Sequence, residues 1–245
     1  MKNLKTGRDR VRRPLALILY LLGLLLMLAV AAITIWPELE LTFFDRPLIV
    51  EESLGTLRCP PAVTPGESAA FAATFTNNRD RQERFRAQAR ISYLSAVVVD
   101  EVDHWVELAP GETKVVRWSL EPENAAFGRM ILARVHVSRR GSTPPQQRGC
   151  GVMVLNLPHF TGSQYVAGMA VGGLLSLAAS AFLWLPGRQL AQLRQDRVAF
   201  RLALLAAAVA GAMFAGIFNL WALGGLLLLF SGLLVVSFIQ HDGAA

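Results

Sequence analysis

Two cysteines are the residues of this sequence whose chemistry follows most directly from their position. Cys59 and Cys150 are the only cysteines, and both lie in the polar middle of the chain. In an oxidising compartment such a pair forms a disulfide, and closing a loop of about 90 residues stabilises a fold by roughly 4 to 5 kcal/mol in the chain-entropy model. The alternatives are a redox pair, which lacks Cys-x-x-Cys spacing, and a metal site, which lacks further ligands. We predict a structural disulfide between Cys59 and Cys150.

Charged side chains cluster at two places in the same region. His104 follows three nearby acidic residues, a set that suits a cation, although a solvated acidic loop between strands is the favoured interpretation. The second cluster is arginine-rich, and its mixed charge is typical of a loop and a strand edge. Four of its residues form a possible interaction surface for an anionic partner or lipid headgroups: Arg79, Arg81, Arg84 and Arg86.

The sequence contains no motif that would indicate catalysis. A nucleophile elbow, a phosphate-binding loop, a dinucleotide fingerprint, a metalloprotease helix and a haem-attachment pattern are all missing from it. We therefore predict no catalytic, cofactor-binding or metal-ligating residue, and no enzymatic activity.

The elements that position these residues are indicated by the distribution of apolar side chains. The chain has 245 residues, of which 53% are hydrophobic, and its mean hydropathy is +0.40. Four segments, 14–36, 165–185, 202–218 and 222–239, contain no charged residue and no histidine. Each is about long enough to cross roughly 30 Å of hydrocarbon. The sequence therefore predicts four transmembrane helices.

Basic residues orient these helices. Six Lys or Arg residues and a single Asp precede the first segment, and the connection between the second and third segments is also basic. By the positive-inside rule both lie in the cytoplasm. Residues 37–164 contain 15 acidic and 14 basic side chains, so the net charge of +6 comes from the inner face. Such basicity indicates topology and contact with the lipid bilayer, not nucleic acid.

These observations predict a multi-pass protein of the cell inner membrane. Its segments are a basic cytoplasmic tail (1–13), helix one (14–36), an extracytoplasmic domain with a linker near the membrane (37–160), helix two (163–186), a cytoplasmic loop (187–197), helix three (198–219), helix four (221–240) and a cytoplasmic tail (241–245). A cleaved signal peptide ending near Ala31 is the alternative for helix one, but the apolar run is longer than such peptides use.

The middle block shows the two-residue period of β-strands. Alternation is clearest in 67–76, 114–120 and 128–138, and further strands are expected at 48–52, 87–100, 105–108 and 151–157. Pro65-Gly66-Glu67 and Pro110-Gly111-Glu112 each form a turn signal directly before a strand. About seven short strands with one wet face are typical of an antiparallel β-sandwich.

With these turns, and with Thr74-Phe75-Thr76-Asn77 closing a strand, residues 48–157 resemble bacterial extracytoplasmic immunoglobulin-like domains of the adhesion-related kind. The resemblance implies a fold and no activity. The predicted fold class is therefore an α+β membrane protein with four transmembrane helices, both termini inside, and an immunoglobulin-like sandwich inserted between helices one and two.

The principal functional hypothesis is a non-enzymatic accessory or scaffolding subunit of a larger membrane complex, with membrane proteins as partners. One alternative is an envelope receptor or adhesion protein that binds a ligand through the sandwich. The other is a component of a transporter or membrane enzyme whose chemistry lies in partner chains, because the apolar segments carry no ionisable residue for transport by this chain alone.

Overall fold

The computed structural model describes residues 5–42, 44, 52–139, 146–184 and 197–242. The chain forms two compact units. One consists of Met1–Ile35 with Val166–Ala245, and the other of Trp36–Tyr165. The described part of the first unit is helical, and the second contains every strand that the described residues form.

Four long helices are present: α1 (Lys5–Leu41), α2 (Gly162–Trp184), α3 (Arg197–Ile217) and α4 (Trp221–Asp242). All four contain a stretch that is long and apolar enough to cross a membrane. Residues 5–13, most of the predicted basic tail, are helical and form the beginning of α1. The predicted loop over 187–197 lies outside the described residues except for Arg197, which begins α3.

Glycines allow the helices of the first unit to approach one another closely. A Cβ on Gly23 would lie 2.8 Å from Leu177 of α2, and a Cβ on Gly216 would lie 2.1 Å from Thr34 Oγ1 of α1. By contrast, a Cβ on Gly225 or Gly232 of α4 would meet no atom within 4 Å. Small residues therefore allow close packing of other helices against α1. On α4, the space beside Gly225 and Gly232 is open among the described residues.

Eight strands form in the described part of the second unit: β1 (Glu52–Ser53), β2 (Ala62–Val63), β3 (Ala69–Thr76), β4 (Glu83–Tyr93), β5 (Ser95–Leu108), β6 (Thr113–Leu120), β7 (Met130–Arg139) and β8 (Gln146–Val154). A six-stranded sheet has the order β1-β8-β7-β4-β5, with β2 also paired to β8, and β3 pairs with β6 in a second sheet. Both β1 and β2 run parallel to β8, so the predicted all-antiparallel arrangement is wrong at this edge.

One hydrophobic core lies between the two sheets. Phe71 and Phe75 on β3 and Trp118 on β6 are at most 2% exposed, as the alternation in sequence predicts. Phe71 stacks on Trp118 with 5.2 Å between ring centroids. The larger sheet contributes the inward faces of β4, β7 and β8 to the same core. Burial of aromatic rings of this size supplies much of the stability of a two-sheet fold.

The longest hairpin of the sheet differs from the sequence-based expectation. Residues 87–100 do not form one strand, because the chain reverses at Leu94 between β4 and β5. The segment 100–104, predicted to be an acidic loop, and the separate strand predicted at 105–108 both belong to β5. Leu94 makes this turn with φ of 56°, in the left-handed region where glycine is usual.

Helix α1 continues past the predicted boundary at Trp36 and packs on the outer face of the larger sheet. Glu38, only 8% exposed, accepts a hydrogen bond from Gly151 N over 3.0 Å. Leu41 joins a small buried cluster with Met130 and Leu132 of β7. Residues 37–41 are therefore helical instead of the predicted linker, because tertiary contacts extend the helix; most of 42–51 lies outside the described residues.

Candidate interaction surface

The two cysteines form a disulfide. Cys59 and Cys150 are bonded with 6.4 Å between their Cα atoms and a sequence separation of 91 residues. Cys59 lies shortly before β2, and Cys150 lies on β8 with 3% of its surface exposed. The bond ties the segment between β1 and β2 to the last strand of the unit, which is the structural role expected for this pair.

Charged side chains form a ladder across β4 and β5 on the face turned away from the core. Phe85, Ala87 and Ala89 point inward, so the residues between them point outward. Four cross-strand interactions follow: Arg84 with Glu107 at 3.3 Å, Arg86 with Asp103 at 2.5 and 2.9 Å, Gln88 with Glu101 at 3.0 Å, and Arg90 with Glu101 at 3.1 Å. We call this surface the β4–β5 ladder.

Trp105 lies within the β4–β5 ladder. It is opposite Arg86 in the strand register, and 62% of its surface is exposed. The Arg84 guanidinium lies over its ring at 4.9 Å from the centroid, a cation–π geometry. The indole is therefore in contact with one arginine and remains largely open to solvent.

The Arg86–Asp103 pair is the best-aligned contact of the ladder. The hydrogen bond from Arg86 lowers the pKa of Asp103, and the same bond raises the pKa of Arg86. Both groups are exposed, so the pair stabilises the fold little. Its bidentate geometry instead limits the conformations of the arginine, and side chains that are ordered before binding reduce the entropic cost of association.

The four arginines predicted to form an interaction surface belong to two different elements. Arg84 and Arg86 belong to the β4–β5 ladder, whereas Arg79 and Arg81 lie in the connection between β3 and β4. Arg79 pairs with Glu83 at 3.0 Å, and the Arg81 carbonyl accepts a hydrogen bond from Asn77 Nδ2. Moreover, β4 lies between β7 and β5, so its predicted place at a strand edge is wrong.

Sequence reasoning missed Trp105 and the acidic partners of the ladder. The spacing of Trp105 with Asp103 and Glu107 is a usable signal, because alternate residues of a strand share one face, which places the tryptophan beside two acidic side chains, and tryptophan is enriched at binding hot spots. The pairing of β4 with β5 is not predictable from the sequence pattern alone, because the turn at Leu94 sets the register between the two strands.

The three histidines of the second unit lie on separate elements. His104 lies on the inward side of β5, with its ring edge-to-face against Trp118 at 5.7 Å, so the loop predicted for it is not formed. His136 is half-buried on β7 and His159 is exposed in the segment before α2. Within the described ranges, no three His, Cys, Asp or Glu side chains are grouped as metal ligands.

An open groove lies beside the start of α2, and its polar groups serve the helix terminus. Glu67 Oε2 accepts hydrogen bonds from Gly162 N at 2.8 Å and from Thr64 N at 3.1 Å. Thr161 and Gln164 bond reciprocally to each other's backbone amides, which is a capping box. These polar groups of the groove are therefore explained by the way in which α2 begins.

No protein-family model and no curated protein matches the chain. Several solved structures share limited similarity with it. A cycloisomaltooligosaccharide glucanotransferase of Paenibacillus sp. is 15% identical over 43% of this chain and 14% of its own, with a TM-score of 0.34. The C-terminal domain of Wzt is 13% identical over 47% and 83%, with a TM-score of 0.30. The CARDB domain of the PF1109 protein from Pyrococcus furiosus is 14% identical over 45% and 99%, with a TM-score of 0.30.

The chain spans less than a fifth of the glucanotransferase, and of a Bacteroides uniformis β-glucuronidase it covers 12%. These TM-scores are all below 0.5. The chain itself is an α+β protein, which combines four apolar helices with a sheet-containing unit.

Proposed function

We propose that this chain is a multi-pass protein of the inner membrane whose second unit lies on the extracytoplasmic side as an immunoglobulin-like domain. This arrangement is supported by four apolar helices, by basic residues before position 14 and in the connection 187–197, and by a disulfide in the intervening unit. Both termini then lie in the cytoplasm.

Within this arrangement the protein acts as a non-enzymatic accessory or scaffolding subunit that binds other membrane proteins. The observation that carries the proposal is the exposed Trp105 on the β4–β5 ladder, with the Arg84 guanidinium over its ring and Arg86 opposite it in the strand register. Tryptophan and arginine are the residues that most often dominate the binding energy of protein interfaces.

The geometry favours contact through the face of the sheet. In the described residues β5 pairs only with β4, so its other edge is available to a further strand. That edge strand carries Asp100, Glu101, Asp103 and Glu107. Dense like charge discourages the addition of a strand, whereas alternating charges on a face match a partner of complementary pattern.

Purification of the tagged full-length protein from its native membrane in mild detergent, with mass spectrometry of the bound proteins, tests the proposal. We expect stoichiometric membrane partners that are lost from Trp105→Ala and retained by the matched control Val115→Ala, which removes an exposed apolar side chain from the smaller sheet. A protein that purifies alone, or partners that both variants retain equally, would contradict the proposed role of this surface.

A further inference from the structure

Two large apolar side chains are exposed at one end of the second unit. Leu94, at the β4–β5 turn, is 65% exposed, and Phe127, in the connection before β7, is 70% exposed. Their backbones are joined, since Phe127 N donates a hydrogen bond to Leu94 O over 3.1 Å. We call this pair the apolar tip.

Both residues of the apolar tip adopt an unfavourable backbone conformation. Leu94 has φ of 56° and Phe127 has φ of 54°, the left-handed region that side chains with a Cβ rarely occupy. The surrounding contacts maintain it: Ser92 Oγ donates to Asn124 O over 2.7 Å and accepts from Leu132 N over 3.0 Å. The structure thus holds two apolar side chains outward on a well-braced turn.

The strand register shows which end of the unit carries the apolar tip. Strand β4 ends at Tyr93, one residue before Leu94, and β7 begins at Met130, which pairs with Met153 near the end of β8. Val154 N also donates to Arg129 O over 2.8 Å. The apolar tip therefore lies at the same end as the last residue of β8, from which the chain continues to α2.

The chain also enters the unit at this end. A Cβ on Gly151 would lie 2.3 Å from the backbone of Pro37, and one on Gly149 would lie 2.8 Å from Leu41. Residues 37–41 therefore run opposite to β8, and Trp36 lies toward the end of β8. Both connections to membrane-spanning helices consequently leave the unit at the end that carries the apolar tip.

Further apolar side chains are exposed near these connections, whereas the opposite end of the unit is polar. Trp36 is 52% exposed and Phe160 is 59% exposed. At the other end, the β3–β4 connection and the β5–β6 turn expose Asp80, Arg81 and Glu112. Aromatic residues are enriched where proteins meet the headgroup region of a bilayer.

We propose that the apolar tip inserts into the headgroup region of the lipid bilayer and holds the second unit against the membrane surface. This inference rests on the proposed membrane insertion of the helices. A bilayer accounts for three observations together: the exposure of Leu94 and Phe127, their braced outward conformation, and their position at the end where both membrane connections leave. Insertion also removes apolar surface from water, which favours the bound state.

Depth-dependent fluorescence quenching in the full-length protein tests the inference. Leu94→Cys and Phe127→Cys are labelled with an environment-sensitive fluorophore, since both native cysteines are in the disulfide. Asp80→Cys, at the opposite end, is the matched control. Each protein is reconstituted into vesicles of phosphatidylethanolamine and phosphatidylglycerol with or without lipids that carry a nitroxide near the headgroup.

We expect nitroxide lipids to reduce the fluorescence of the two tip labels by about two-fold or more, because interfacial side chains sit within about 5–10 Å of the acyl boundary. The Asp80→Cys label should be unaffected. Equal quenching at all three positions overturns the inference, and so does a tip label that nitroxide lipids leave unquenched but that is shielded when the protein is purified with a protein partner.

The same samples separate failure of this inference from failure of the proposed function. Flotation with the vesicles after alkaline extraction reports insertion of the helices independently of the labels. A protein that floats without tip quenching overturns only the apolar-tip inference, whereas a protein released by alkali overturns the proposed membrane insertion. Retention of the Cys59–Cys150 disulfide in each variant shows that the introduced cysteine has not exchanged with the native pair.

Discussion

Replacement of Gly151 by alanine should detach the end of α1 from the sheet. The new Cβ would lie 2.3 Å from the backbone C and O atoms of Pro37 and 2.5 Å from its Cβ. These atoms cannot move aside as the end of a flexible side chain can, so α1 or β8 must shift. The shift breaks the hydrogen bond from Gly151 N to Glu38 and strains the bond from Arg134 to Leu41 O.

The expected magnitude follows from these contacts. Overpacking of this kind costs about 1–3 kcal/mol. A hydrogen bond to a charged group contributes about 1.5–3 kcal/mol. The two effects overlap, because relief of the clash is what breaks the bond, so we expect a loss of local stability of about 2 kcal/mol or more.

Amide hydrogen exchange of the full-length protein in detergent measures this loss directly. Peptides that cover the end of α1 and β8 should exchange roughly 30-fold faster or more in Gly151→Ala, the ratio that about 2 kcal/mol implies. Gly55→Ala is the matched control, because its Cβ would meet nothing within 4 Å. Wild-type protection of both segments in Gly151→Ala would refute the packing of α1 on the sheet.

Three further results are expected. Replacing Cys59 and Cys150 by serine should lower the free energy of unfolding by about 2–5 kcal/mol in denaturant titrations, and an unchanged midpoint would show that the disulfide is not structural. Gly216→Ala should destabilise the helical unit by about 1–3 kcal/mol in thermal unfolding, because its Cβ would overlap Thr34 Oγ1, whereas Gly225→Ala should be neutral. Finally, because a hydrogen bond from its arginine partner lowers the pKa of Asp103, this carboxyl should titrate below the usual range of an aspartate in an NMR pH titration, and Arg86→Gln should return its pKa toward that range; an Asp103 pKa that is the same in both proteins would contradict this.

Much of the fold can be predicted from the sequence, because the environment of each strand face and helix determines where apolar residues occur. Strands β3, β6 and β7 alternate since one face of each meets the core, with Phe71 and Trp118 inside. Each of the four helices contains an apolar stretch long enough to cross a membrane, and length and composition alone reveal it. These signals depend on each segment's own residues, so no tertiary information is needed to read them.

The rest depends on tertiary contacts that local patterns do not contain. Leu94 turns the chain in a conformation for which leucine has no preference, so the β4–β5 hairpin and its register are not predictable from local sequence. Pro37 lacks the amide hydrogen of a helix interior, yet α1 continues because Glu38 binds Gly151 of β8. The parallel pairing of β1 and β2 with β8 likewise comes from long-range contacts.

The β4–β5 ladder also depends partly on local sequence and partly on tertiary contacts. The arginine-rich run is visible in the sequence, but only the hairpin shows that Arg84 and Arg86 share a face with Trp105, while Arg79 and Arg81 do not. Within the arginine-rich run, Arg84 and Arg86 share a face because alternate residues of β4 point to the same side. Their acidic partners, Glu107 and Asp103, lie on β5.

Photo-crosslinking in living cells tests the role of the β4–β5 ladder in binding a partner most directly. A photoreactive phenylalanine analogue placed at Trp105 should capture a second membrane protein in a single reproducible adduct, while the same analogue at Val115, also exposed, should not. If position 105 yields no protein adduct, or the same adducts as position 115, the chain does not bind a partner through this surface.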